Sequence, residues 1–230
     1  MTGPPVRDGR RLDPATGNAP RRLVVMLHGY GSNGADLIGF APHLRHALPD
    51  TLFLAPNASE HCPHSPGGYQ WWGLNDLSPQ ALAAGARRAA PALDAYIDRH
   101  LAELGLAEDQ VALVGFSQGT MMALHVGARR AHPISGILGY SGMLADDGGF
   151  AAEVRSKPPV LLIHGSADPI VPVRAMQDTR NALHRLGFDV AAHISPGLGH
   201  GVDGLGLDLG VRFLAKVLGR DANEELRPAT

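Results

Sequence analysis

Six short apolar runs, unbroken except for His193 in the last and separated by longer stretches of helical spacing, leave this chain few ways to fold. The runs cover residues 23–27, 52–55, 111–114, 137–140, 160–163 and 190–194. Strands that are apolar at every position, instead of at alternate ones, must be covered on both faces. Helical spacing falls between them at 81–104, 118–130, 173–186 and 205–218. Ser78-Pro79 supplies a cap and a first-turn proline for the first of these helices, and Pro91 predicts a kink or a late start within it. Strand–helix alternation of this kind predicts an α/β fold with a mostly parallel central sheet and helices on both faces. Ligands in such sheets bind beyond the carboxyl ends of the strands, so chemistry is expected just after each run.

One of those strand ends carries a strong signal. Residues 111–114 lead into Gly115-Phe116-Ser117-Gln118-Gly119, which fits G-x-S-x-G, and an amphipathic helix follows. A serine in a tight strand-to-helix turn presents its hydroxyl to solvent, and the helix amino terminus favours developing negative charge. Small residues at 115 and 119 are needed because bulkier ones would strike the helix and the adjacent strand. The bland alternative, Ser117 as a mere helix cap, loses weight because partners follow downstream.

A serine hydroxyl becomes a useful nucleophile only when an imidazole takes its proton and an acid orients that imidazole. The expected chain order is Ser, then Asp or Glu, then His. Of the twelve histidines, His28 and His43 precede the serine, and His125 and His132 lie on or just beyond the helix after it. His164 ends one strand and His193 alternates within another, which reads as structural. His200, in the glycine-rich loop between the last strand and the last helix, is the predicted base. Asp168 follows the preceding strand in a turn closed by Pro169 and is the predicted acid. Asp146 and Asp147 come one connection too early, and an Asx turn is the structural alternative for Asp168.

Acyl transfer also needs amides aimed at the oxyanion. The Gln118 N–H is one, and the loop 28–34, His-Gly-Tyr-Gly-Ser-Asn-Gly, is placed to supply another. A phosphate-binding loop is the competing reading, but no G-x-x-x-x-G-K-[ST] pattern occurs. Trp71 and Trp72, after Gly67-Gly68, read either as an apolar flap over a site or as core packing of a long connection. His61-Cys62-Pro63-His64 holds three potential metal ligands with no matching second group, so a solvated loop is preferred.

Composition narrows the partners. The 230 residues are 44% hydrophobic and 18% charged with a net charge of -2, which fits one globular domain. Near-neutral charge gives no electrostatic pull towards nucleic acid or an anionic membrane. No run approaches the roughly 20 apolar residues of a membrane span, and stable membrane insertion is not expected. Cys62 is the single cysteine, so no internal disulfide forms, and residues 1–20 lack the apolar segment of a secretory signal. The expectation is a cytoplasmic protein with an irregular arm at 1–20, one domain at 21–219 and a polar tail at 220–230. No metal or organic cofactor is implied, the partner is a small acyl ester, and a homodimer is open.

Taken together, Leu27-His28-Gly29-Tyr30-Gly31, Gly115-Phe116-Ser117-Gln118-Gly119, residues 164–172 (His-Gly-Ser-Ala-Asp-Pro-Ile-Val-Pro) and Gly199-His200 resemble the phospholipase/carboxylesterase family. That family has the α/β-hydrolase fold and includes small bacterial carboxylesterases and acyl-protein thioesterases. The resemblance runs over roughly residues 20–218 and implies that Tyr30, after His-Gly, carries the second oxyanion amide. Many relatives have leucine there. It further implies that residues 70–74 (Gln-Trp-Trp-Gly-Leu), with Trp71 and Trp72, flank the entrance, and that Met143 and Val171 line the acyl pocket. The expected activity is hydrolysis of short-to-medium carboxylic esters through an acyl-enzyme. An acyl-protein thioesterase or lysophospholipase for longer chains is the main alternative, and a non-catalytic receptor of the same fold a weaker one.

Overall fold

The computed structural model describes residues 4–219, so the tail at 220–230 lies outside the described residues. All six predicted strands form. They are β2 (Arg22–Leu27), β3 (Thr51–Asn57), β6 (Val111–Phe116), β7 (Gly136–Tyr140), β8 (Val160–Gly165) and β9 (Val190–Ser195), and they pair in parallel. A seventh, β1 (Arg7–Leu12), pairs antiparallel with β3 at the sheet edge, giving the order β1-β3-β2-β6-β7-β8-β9. The expectation of an irregular arm over 1–20 is therefore corrected at 7–12. This strand is almost wholly exposed and carries no apolar period, so its pairing rests on main-chain hydrogen bonds that side-chain pattern does not report. A hairpin of β4 (Glu60–His61) and β5 (Tyr69–Gln70) stands apart from the sheet.

Strand residues alternate between two cores. Val25, Leu27, Leu54 and Leu113 face the layer built with Leu93, Ile97, Met122 and Leu124. Val24, Met26, Phe53 and Val114 face the other, which contains Leu37, Leu44, Leu214 and Leu218. The first layer is formed by α3 (Pro79–Leu104), α4 (Gln118–Gly127) and α6 (Val173–Arg185). The second holds the short α1 (Gly34–Leu37) and α2 (Ala41–Arg45) together with α7 (Gly204–Leu218). A four-residue helix, α5 (Phe150–Glu153), lies between β7 and β8. Helix α3 starts at Pro79 with its Ser78 cap and runs through Pro91, so the late start is not what happens; Gly105, at φ 65°, ends it.

This topology positions the site. From β2 the chain moves to β3 on one side, then crosses back through α3 to β6 on the other side of β2. The strand order thus reverses between β2 and β6, the place where sheets of this kind hold ligands beyond the carboxyl ends. His28–Gly29 leaves one of these two strands and Ser117 leaves the other.

Candidate active site

Ser117 sits at the junction of β6 and α4 with φ 54° and ψ -116°, a conformation that costs a non-glycine residue free energy. The surroundings hold it there. Its N–H donates to the Tyr140 carbonyl at 2.9 Å, and its carbonyl accepts from Thr120 N–H at 2.9 Å. Gly119 is pressed against β2, because a Cβ there would lie 1.8 Å from the Leu27 oxygen. The small residues at this turn are thus demanded by contact between α4 and its neighbouring strand.

The predicted acid and base are brought together. His200 Nδ1–H donates to Asp168 Oδ2 at 2.8 Å, although 32 residues separate them. The other carboxylate oxygen, Oδ1, accepts from the Ile170 and Val171 N–H groups at 2.8 and 2.9 Å. Burial works to raise the Asp168 pKa, but the hydrogen bonds from His200, Val171 and Ile170 outweigh it and hold the carboxyl below its ordinary value. The acid turn and the histidine loop are also laced together by Ala167 N–H to Leu198 O (2.9 Å) and Gly197 N–H to Ser166 Oγ (2.8 Å). With Nδ1 committed to Asp168, Nε2 is the ring nitrogen left for proton transfer. The Phe116 ring, one residue before Ser117, lies against the His200 imidazole with centroids 5.0 Å apart.

Tyr30 and Gln118 have free backbone donors: among the described residues neither N–H has an intramolecular acceptor. The Tyr30 peptide plane is held from its other side. Ala58 N–H donates to His28 Nε2 at 3.0 Å, which makes that nitrogen an acceptor and puts the ring proton on Nδ1. His28 Nδ1–H then donates to the Gly29 carbonyl at 2.7 Å. Carbonyl and N–H of one trans peptide point in opposite directions, so fixing the Gly29 oxygen fixes the Tyr30 N–H. Desolvation lowers the His28 pKa and keeps the ring neutral.

The residues assigned to substrate contact by resemblance separate. Met143 lines a cleft of about 370 Å³ with Leu77, Leu82, Leu144 and Thr179. Gly142, beside Met143, abuts the Ser117 carbonyl, with only 2.7 Å from its notional Cβ to that oxygen. Val171 does not line this cleft. It is buried, and its backbone serves the acid turn, donating to Asp168 and accepting from His164 Nε2 at 2.7 Å. Trp71 and Trp72 do not line it either. They are only 3% and 2% exposed, which favours core packing of the long connection over a flap. Trp72 packs on α3 at Gly85, where an added Cβ would stand 2.4 Å from the indole. The long connection buries its aromatics because β5 is bridged to the 28–32 loop through Gly31 N–H to Tyr69 O and Tyr69 N–H to Ser32 O.

Two contributors were not singled out as site residues. His164 was read as structural, yet its Nε2 also lies 3.2 Å from Asp168 Oδ2, with the ring fully buried. Its place four residues before the acid was the available signal. Ser141, at φ 46°, donates its hydroxyl to the Gly201 carbonyl at 3.0 Å and so anchors the loop beside His200. No local pattern marks it. His61 is exposed and stacks on Tyr69, while Cys62 is buried; among the described residues no cluster of three or more His, Cys, Asp or Glu is arranged to hold a metal ion.

The phospholipase/carboxylesterase family model matches residues 15–218. This chain belongs to that family. The crystal structure of esterase PE8 superposes with a TM-score of 0.88 at 43% identity, over 93% of this chain and 100% of that one. A rice protein (Oryza sativa subsp. japonica) named "Probable inactive carboxylesterase Os04g0669700" is 30% identical over 94% of this chain and 93% of its own length. Acyl-protein thioesterase 1 of Gibberella zeae is 37% identical over 50% of this chain and 51% of its own. Membership in the phospholipase/carboxylesterase family makes the chain an α/β-hydrolase and a carboxylic ester hydrolase by kinship. Among the described residues no helix is long and apolar enough to cross a membrane.

Proposed function

We propose that this phospholipase/carboxylesterase member hydrolyses short-to-medium acyl carboxylic esters through an acyl-enzyme on Ser117. The observation that carries the reading is the 2.8 Å hydrogen bond between His200 and Asp168, with the His200 ring 5.0 Å from that of Phe116, the residue before Ser117. His200 Nε2 takes the Ser117 proton as the oxygen adds to the ester carbonyl. The Tyr30 and Gln118 amides stabilise the oxyanion. Collapse of the tetrahedral adduct expels the alcohol, which receives the proton from His200. Water, deprotonated by the same imidazole, then releases the acid and restores Ser117. Asp168 holds His200 in the Nδ1–H tautomer and stabilises its charged form. Met143, whose neighbour Gly142 abuts the Ser117 carbonyl, borders the acyl chain in this reading. A lone cysteine with no disulfide to form supports a cytoplasmic location.

The thioesterase relative keeps a second reading in view, in which longer acyl thioesters are cleaved by the same residues. A chain-length series on p-nitrophenyl esters and on acyl thioesters separates the two. The triad is tested by Ser117→Ala together with a fluorophosphonate probe. Wild-type protein is expected to label at Ser117, and the folded variant to lose both label and turnover. Undiminished ester turnover by Ser117→Ala would overturn the assignment, and failure of folded wild type to label would favour a non-catalytic receptor.

A further inference from the structure

Oxyanion catalysis demands two amides at a fixed separation, and in this chain they sit on segments far apart in sequence, at Tyr30 and Gln118. The Tyr30 segment lies between Gly29 and Gly31, which resist deformation poorly. The Gly29 carbonyl accepts from His28 Nδ1–H and, at 3.2 Å, from Ser32 N–H, and Gly31 N–H donates to Tyr69 O, but none of these bonds reaches the Gln118 segment. Trp71 links the two. Its indole Nε1–H donates to the His28 carbonyl at 3.0 Å, and its ring stacks on the His28 imidazole at 5.6 Å between centroids. Its own backbone N–H donates to Gln118 Oε1 at 3.1 Å, while Gln118 Nε2 donates to the Trp72 carbonyl at 2.9 Å. The Gln118 side chain is fully buried, as costly a place for an amide as the interior offers unless both ends are paired, as here they are.

We propose that Trp71 is a positioning residue that sets the Tyr30 and Gln118 amides at their working separation, clamped at one end by the Gln118 side chain and bonded at the other to His28. This rests on the oxyanion roles proposed above. It accounts for glutamine after the nucleophile: leucine at 118 would keep the N–H but strand the Trp71 N–H and the Trp72 carbonyl. It also separates Trp71 from substrate, since an indole 3% exposed is placed to hold the loop and not an acyl group. A smaller ring at 71 lowers stability under either reading, but only the brace makes kcat depend on the indole N–H, so kinetics and not Tm alone discriminate.

The variant is Trp71→Phe, and Gln118→Met releases the other end of the brace should the first fail to fold. An amide displaced by a fraction of an ångström costs transition-state stabilisation with little effect on ground-state binding. Turnover of a p-nitrophenyl ester is expected to fall about 10- to 100-fold in kcat, with KM changed less than about 3-fold. Affinity for a trifluoromethyl ketone should fall in parallel, since Ser117 Oγ adds to its carbonyl, His200 takes the proton, and a tetrahedral oxyanion results. A non-hydrolysable ether analogue, which forms no oxyanion, should bind as before. Unchanged kcat and ketone affinity in a folded variant, with only a lower Tm, would overturn the proposal and leave Trp71 as packing. Fluorophosphonate labelling of the same samples keeps the outcomes apart: a wild type that does not label refutes the Ser117 reading, whereas a labelled wild type with an unimpaired Trp71→Phe refutes the brace alone.

Discussion

A methyl group on Gly119 would stand 1.8 Å from the carbonyl oxygen of Leu27, far inside the sum of the two van der Waals radii. Helix α4 therefore meets β2 backbone to backbone at this point. The close approach keeps the helix amino terminus, and with it the Gln118 amide, next to the His28–Tyr30 loop.

Gly119→Ala should accordingly push α4 off β2. The clash is with main chain on both sides and has no flexible side chain to absorb it, so the cost falls at the upper end for overpacking, about 3 kcal/mol. Urea unfolding measures it, and any folded fraction should have lost most of its esterase activity. A stability within about 0.5 kcal/mol of wild type would contradict the geometry.

Asp168→Asn removes the charge that favours the imidazolium and can present an N–H where His200 Nδ1 needs an acceptor. The fall in kcat should be about 10⁴-fold, the scale on which loss of this acid acts elsewhere through the wrong tautomer. Steady-state kinetics on p-nitrophenyl esters decide it; a loss below tenfold would remove Asp168 from the proposed triad.

His125 makes stability depend on pH. Burial first, and then the nearby Arg129 charge, lower its pKa from 6.5 to about 4, with Glu153 opposing and Arg87 assisting. Its Nδ1 has no hydrogen-bond partner among the described residues. Because the folded value lies below the unfolded one, the unfolded chain takes the proton first as pH falls. Stability should therefore decline from about pH 6.5 and level off near pH 4, by about 3 kcal/mol in all. His125→Leu should flatten most of that slope in urea titrations, leaving the smaller part due to His28, which burial lowers in the same direction. An unchanged slope would mean that His125 is solvated or paired.

Arg130 gathers three carboxylates, those of Asp94, Asp98 and Glu108, on a guanidinium only 6% exposed. Breaking a fully buried pair costs about 3–5 kcal/mol, but here Asp94 and Asp98 keep contact with water, and about 2 kcal/mol is expected for Arg130→Met. Burial already raises the Asp94 pKa while Arg130 pulls it down. Without Arg130 the carboxyl rises further and its ionised form is penalised. The deficit against wild type should therefore be larger at pH 7 than at pH 4, as thermal melts at the two pH values would reveal.

The six parallel strands, the Ser117 turn and the pairing of Asp168 with His200 were legible in the chain, because each is written locally. An unbroken apolar run records burial on both faces, except at the edge strand β9, where Ala191, Ala192 and Ile194 are exposed; G-x-S-x-G records a turn that only small neighbours permit, and chain order records which strand end comes next. What depended on distant segments was not legible. Strand β1 is bound by main-chain bonds to β3 that leave no trace in its exposed, charged side chains. Trp71 and Trp72 were equally consistent with a flap and with the core until Gly85 of α3 and the His28 carbonyl were brought against them. The left-handed backbone of Ser141 and the approach of His164 to Asp168 likewise arise from neighbouring strands. Residue pattern reports how much of a segment is buried and with what period. Which partner buries it is decided only when the sheet closes and sets residues 28, 71 and 118 side by side.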